Sequence, residues 1–179
     1  MDLQSSVHLL VLACVALAAY TDLRTGKIYD WLTYPMLALG PVLGFAGAGL
    51  GGLVEAFVGI AFCGIAPYVA WRAGQMGGGD VKLLAALGGL LGPFLGIEGQ
   101  FYGMLVASVA ALGMVLWRGQ LLRTLANMFF LLLNPLLPKS RRRTITRDMQ
   151  TPLRMGPFIL VGTAAAVLLA HPSWWGGAP

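Results

Sequence analysis

Charged residues are scarce in this chain: they make up 11% of 179 residues, against about 25% in an ordinary water-soluble domain. So little charge excludes most soluble enzymes, and a hydrophobic content of 58% with a mean hydropathy of +0.76 excludes a disordered chain. Cysteine is scarce as well. Cys14 and Cys63 fall inside apolar stretches with no Cys-x-x-Cys spacing, which leaves neither a disulfide framework nor a zinc site and marks both as small core residues. Acids are fewer than bases, seven against twelve, for a net charge of +5. Nucleic acid is one partner for such a charge, but the placement of the cations argues against it.

What the chain has in quantity is apolar sequence. About six stretches read as helices: Ser5 to Tyr20, Trp31 to Gly47, Leu53 to Trp71, Val81 to Ile97, Gln100 to Trp117 and Gly156 to Ala170. Each is roughly 15 to 19 residues, the short end of what crosses a hydrocarbon core about 30 Å thick. The expected fold is therefore all-α, a polytopic membrane protein of about six transmembrane helices in one domain spanning 1–179. With six crossings, the loops at Thr21 to Asp30, Arg72 to Asp80 and Arg118 to Met155 share one side, and both termini share the other with the turns at Gly47 to Gly52 and Ile97 to Gly99. All twelve Lys and Arg residues lie in those loops or within a residue or two of them. The excess of positive charge places that side in the cytoplasm and both termini outside. The cations thus serve as a topology signal, and nucleic acid is not an expected partner.

Two segments need separate treatment. Ala16-Leu17-Ala18 resembles a signal-peptidase site, but Asp2 precedes the apolar run and Arg24 and Lys27 follow it, the reverse of a signal peptide, so a retained first helix is expected. Gly119 to Leu137 is long enough to be a seventh span. However, Gln120, Arg123, Asn127 and Asn134 form a polar stripe at helical spacing, and a further crossing would carry Arg141 to Arg143 outside. An amphipathic helix lying in the interface, within a cytoplasmic loop at 118–155, is the expectation.

Carboxylates near a membrane span are costly, so each needs a reason. Asp22 closes the first span and Asp80 opens the fourth, and the topology puts both at the cytoplasmic end at similar depth. Asp80 follows Gly77-Gly78-Gly79, where the backbone is free to adopt unusual angles or to approach another chain closely. A flexible loop with an N-cap is one reading of that segment. The other joins the aspartates: two carboxyls at a partly dry interface share a proton, so one is an acid and the other a base near neutral pH. Such a pair activates water against a peptide carbonyl without a metal or a covalent intermediate. The glycines would then leave room for an extended substrate backbone.

The run from Gly77 to Gly88, Gly-Gly-Gly-Asp-Val-Lys-Leu-Leu-Ala-Ala-Leu-Gly, resembles the Gly-x-Gly-Asp-x-Lys segment of type IV prepilin peptidases, bacterial intramembrane aspartic proteases. Tyr20 to Ile28 resembles the segment around that family's first aspartate, and Met155-Gly156-Pro157-Phe158 the start of its last helix. The resemblance covers most of the chain in order and spacing. It implies that Asp22 and Asp80 are catalytic, that no cofactor is needed, and that the substrate is a prepilin or pseudopilin whose basic leader is cut after a glycine at the cytoplasmic face of the inner membrane. Two departures stand out. Tyr29 follows Ile28 where the family often has proline, and no domain with paired Cys-x-x-Cys motifs is present, so methylation of the new N-terminus is not expected. The chain looks like the short form associated with tight-adherence pilus systems.

The remaining polar residues carry less. Lys82 either biases the aspartate pair, holds anionic headgroups or snorkels to the interface. Asp30 reads as a cap, and His8, His171, Glu55 and Glu98 fall on the outer side, where no metal site is expected. Gly40 and Gly44, and Gly88, Gly92 and Gly96, are spaced for close helix packing, with Pro93 bending or ending the fourth span. Anionic inner-leaflet lipid is the expected partner for both the basic enzyme face and a basic leader. Competing readings are a small proton- or cation-coupled transporter, a non-catalytic pilus assembly scaffold, and a presenilin-like or archaeal preflagellin peptidase, which shares Gly-x-Gly-Asp.

Overall fold

The computed structural model describes residues 3–117 and 154–170. Among the described residues there are five helices and no strand: α1 (Leu3–Thr25), α2 (Asp30–Arg72), α3 (Gly78–Leu91), α4 (Pro93–Trp117) and α5 (Gly156–Ala170). The loop expected at 118–155, with its interfacial helix at Gly119–Leu137, lies outside the described residues except for its last two. Contacts divide the chain into two units, Met1–Val106 with Arg154–Pro179, and Ala107–Leu153. Everything below concerns the first unit.

The α2 helix contains two of the expected segments. Ala48 and Gly49 leave helical geometry, Gly49 at φ +59°, and the chain folds back there. A Cβ built on Gly44 would stand 2.5 Å from the carbonyl oxygen of Gly52. In a continuous helix those residues would lie about 12 Å apart. The expected turn at Gly47 to Gly52 is therefore present.

The turn expected at Ile97 to Gly99 is not. It falls earlier, at Gly92, whose φ of +80° ends α3, and Pro93 opens α4. Leu90 to Ile97 is apolar on both sides of this turn, so hydropathy alone does not see it. Proline is stable at the start of a helix because its missing N–H has no partner there to lose.

These breaks leave helices of unequal length. Three, Ser5–Thr25 within α1, Asp30–Arg72 and Pro93–Trp117, are long and apolar enough to cross a membrane. At 14 residues α3 rises only about 21 Å, short of the hydrocarbon core. It is nonetheless the centre of the bundle, with Leu83 through Gly89 all buried, as a helix apolar on every side requires. Glycine lets it pack so closely. Gly89 lies against Gly40 of the first arm of α2, Gly88 against Gly59 and Cys63 of the second, and Gly64 faces Ala85. Val11, Val15 and Ala18 of α1, Leu32 and Met36 of α2, and Ile159 of α5 complete the core around Leu83, Leu84 and Leu87.

Much of the outer surface is apolar, with Val42, Phe45, Leu50, Phe57, Phe62 and Ile65 all at least half exposed. A water-soluble monomer does not carry apolar patches on this scale, and a lipid-facing surface does. At one end of the bundle the exposed side chains turn aromatic: Tyr20 near the end of α1, Trp31 and Tyr34 at the start of α2, Tyr68 and Trp71 at its end. Aromatic belts of this kind mark the membrane–water interface.

Candidate active site

Both aspartates sit at that aromatic end. Asp22 lies in the last turn of α1 and is only 6% exposed. Its main-chain carbonyl accepts the N–H of Gly26, which has a φ of +69° and turns the chain out of the helix. Its side chain reaches across the bundle, where Oδ2 accepts the backbone N–H of Gly156 at 2.9 Å. Gly156 is the first residue of α5, so Asp22 faces the positive end of that helix and satisfies one of its unpaired donors.

Asp80 stands in the first turn of α3, outside the three helices long enough to cross the bilayer. Its Oδ2 folds back to accept the N–H of Gly77 at 3.2 Å, the side-chain half of a capping box. Each aspartate is thus anchored at a helix N-terminus, Asp22 on a distant helix and Asp80 on its own. Burial, reinforced by the neighbouring charge of Asp22, pushes the Asp80 carboxyl up to about 6, with the Gly77 N–H opposing the shift.

The glycines of the run differ in what they do. At Gly77 a Cβ would stand 2.9 Å from Asp80 Oδ2, so glycine there gives the carboxylate access to the backbone. At Gly79 a Cβ would come within 2.8 Å of the Ile28 carbonyl oxygen and 2.9 Å of the Ile28 Cβ. The loop that follows Asp22 is therefore pressed directly against the helix that carries Asp80. Gly78 meets only the Trp71 indole, at 3.4 Å.

Lys82 pairs with Asp30 instead of either of these aspartates. Its Nζ lies 2.7 Å from Asp30 Oδ1 and 4.7 Å from the centroid of the Tyr34 ring, and these partners raise its pKa, the Asp30 hydrogen bond most of all. Asp30 is not the cap expected, since Tyr29 is the N-cap of α2 and Asp30 its first residue, and the ion pair ties the first turn of α2 to the second turn of α3. Sequence reasoning anticipated neither this pair nor the role of Gly156. The one available signal for the latter was that Met155-Gly156-Pro157-Phe158 resembled a family segment. Among the described residues no cluster of three or more His, Cys, Asp or Glu side chains is placed to hold a metal ion.

The chain belongs to the type IV leader peptidase family, whose model matches residues 9–134. It is also similar to the prepilin peptidase EppA of Methanothermobacter thermautotrophicus, 38% identical over 97 residues, a match covering 50% of this chain and 24% of that protein. The chain thus spans about a quarter of the length of this curated relative. No solved structure matches it.

Proposed function

We propose that the protein is a membrane-embedded aspartic endopeptidase that removes the basic leader from prepilins or pseudopilins, cutting after a glycine at the cytoplasmic face of the inner membrane. The observation that supports this reading is that Asp22 and Asp80, on separate helices, both lie at one aromatic-belted end of the bundle, where the charge of Asp22 helps to raise the Asp80 carboxyl. In this mechanism Asp80, whose carboxyl is raised to about 6, is the acid of the pair in the protonated form that reacts, and Asp22 takes a proton from water as its oxygen attacks the scissile carbonyl carbon. Asp80 then protonates the departing side of the bond. No metal or cofactor takes part.

The finer topology belongs to the same proposal. Six membrane segments, with both termini outside, place every Lys and Arg on the side of the aspartates. Anionic lipid gathers the basic leader there. The glycine run at 77–79 borders the path of the substrate backbone, and Lys82 braces that border through Asp30. The reading is tested by co-expressing the chain with candidate prepilins and determining the mature N-terminus by mass spectrometry. A new N-terminus after a glycine is expected, and an unprocessed leader with every candidate would contradict it.

A further inference from the structure

A cavity of about 370 Å³ lies at the end of the bundle opposite the aspartates, bordered by Val7 and His8 of α1, Leu43 and Glu55 of the two arms of α2, and Leu90 and Leu91 of α3. Gly92, which also lines it and ends α3, stands about 18 Å along that helix from Asp80. The cavity is therefore separate from the reacting pair. Its volume falls in the range of small-molecule sites, about 300–1,000 Å³.

Its wall selects a cation. Among the described residues that line it are one acid, Glu55, and no Lys or Arg. Two helices also end there: α3 at Gly92, and the first arm of α2 at Ala48, another lining residue. The last carbonyls of a helix lack partners within it and form its negative pole, so both ends add to the field of the carboxylate. A Cβ built on Gly92 would stand 3.2 Å from Glu55 Oε1, so the carboxylate reaches the end of α3. An acid within a helix long and apolar enough to cross the bilayer is costly, and a bound cation offsets that cost. The donor set does not suit a metal ion, since among the described residues no group of three or more His, Cys, Asp or Glu is placed to hold one. Val7, Leu43, Leu90 and Leu91 instead offer an apolar wall to the stem of an amphipathic molecule.

We propose that this cavity binds the ammonium headgroup of a phospholipid such as phosphatidylethanolamine, with the ammonium at Glu55 and the two helix ends. The occupant is a lipid because the hairpin that borders the cavity exposes Phe45, Leu50 and Val54, an apolar surface of the kind that lipid covers. With the aspartates at the cytoplasmic face, as proposed above, the outer leaflet supplies it. Binding itself does not depend on the peptidase reading.

The test is native mass spectrometry of the full-length protein released from nanodiscs of equal parts phosphatidylethanolamine and phosphatidylglycerol. The readout is the ratio of the two lipids retained, which partial loss of folded protein does not alter. Glu55→Gln should lower the ratio of phosphatidylethanolamine to phosphatidylglycerol by about tenfold. Leu43→Trp fills the cavity and should lower the ratio without touching the charge. An unchanged ratio in Glu55→Gln would overturn the assignment, and so would a wild type that retains the lipids in bulk proportion. Free ethanolamine, added to the protein in phosphatidylglycerol nanodiscs, should leave the thermal midpoint unchanged. A rise that Glu55→Gln abolishes would make the occupant a soluble amine and overturn the lipid assignment. Each of these failures leaves the roles of Asp22 and Asp80 untouched.

Discussion

The Asp22 carboxylate accepts a hydrogen bond at 2.9 Å from the backbone of Gly156, 134 residues further along the chain. This bond fixes the end of α1 against the start of α5 and aims an otherwise buried carboxyl. It also explains why residue 156 is glycine, since a Cβ there would stand 2.9 Å from the Asp22 Cβ and 3.0 Å from the Ala19 Cα.

Gly156→Ala should therefore separate α5 from α1 and displace the carboxyl. Misplacement on the scale of 1 Å costs about a hundredfold in rate where geometry controls the reaction. Leader removal should fall to that extent with kcat, while KM and membrane insertion hold. Steady-state kinetics on the reconstituted variant would check this, and an unchanged kcat would show that the Gly156 contact is not needed.

The ion pair between Lys82 and Asp30 is partly exposed, and such pairs contribute little. Asp30→Asn and Lys82→Met should each retain activity within about threefold. The double variant should match the singles, because both remove the same contact. A loss comparable to that expected for an aspartate of the reacting pair would place one of these residues in the chemistry.

Tyr29 occupies the position where the family often carries proline, and it has φ −82° and ψ 142°. That is polyproline-like geometry, which proline adopts without strain. Tyr29→Pro should leave processing intact and raise the thermal midpoint slightly, by the roughly 0.4–1 kcal/mol that a compatible proline contributes through the unfolded chain. Thermal unfolding in detergent measures this, and a lowered midpoint would contradict it.

Burial and the charge of Asp22 raise the Asp80 carboxyl from 3.8 to about 6. An acid raised on folding binds its proton more tightly in the folded state. Its contribution is complete below the unfolded value and is lost as the pH rises through about 6. Asp80→Asn has no such loss. The variant should therefore gain on the parent protein by a few degrees in thermal midpoint between about pH 4 and pH 7. A gap that stays constant or narrows with rising pH would contradict the assignment.

These residues also mark how far the sequence alone reached. Asp22 and Asp80 were singled out because sorting the cations suggested a topology with only a few acids at one depth, and the structure has both at the aromatic end of the bundle. The hairpin at Ala48–Gly49 was legible because glycines interrupt an apolar run. A bend or end at Pro93 was legible from the proline, but the turn itself was set at Ile97 to Gly99 because the flanks of Gly92 are equally apolar and a positive φ leaves no mark in hydropathy. The Asp22–Gly156 bond was hidden for a different reason: a helix N-terminus can be capped by any residue brought near it, and its long-range partner depends on packing. The glycine run was recognised as permissive, yet the work of Gly77 and Gly79 depends on where Asp80 and Ile28 lie in space. Lys82 was weighed against Asp80 because they are near in sequence, whereas its partner comes from the start of another helix.

The most direct measurement of the central claim is leader release by purified protein in anionic vesicles, comparing the wild type with Asp22→Asn and Asp80→Asn and using Asp30→Asn as the control. The account predicts that the wild type and Asp30→Asn release the leader, and that neither variant of the pair does so although both insert and fold. Leader release by Asp22→Asn or Asp80→Asn would contradict it.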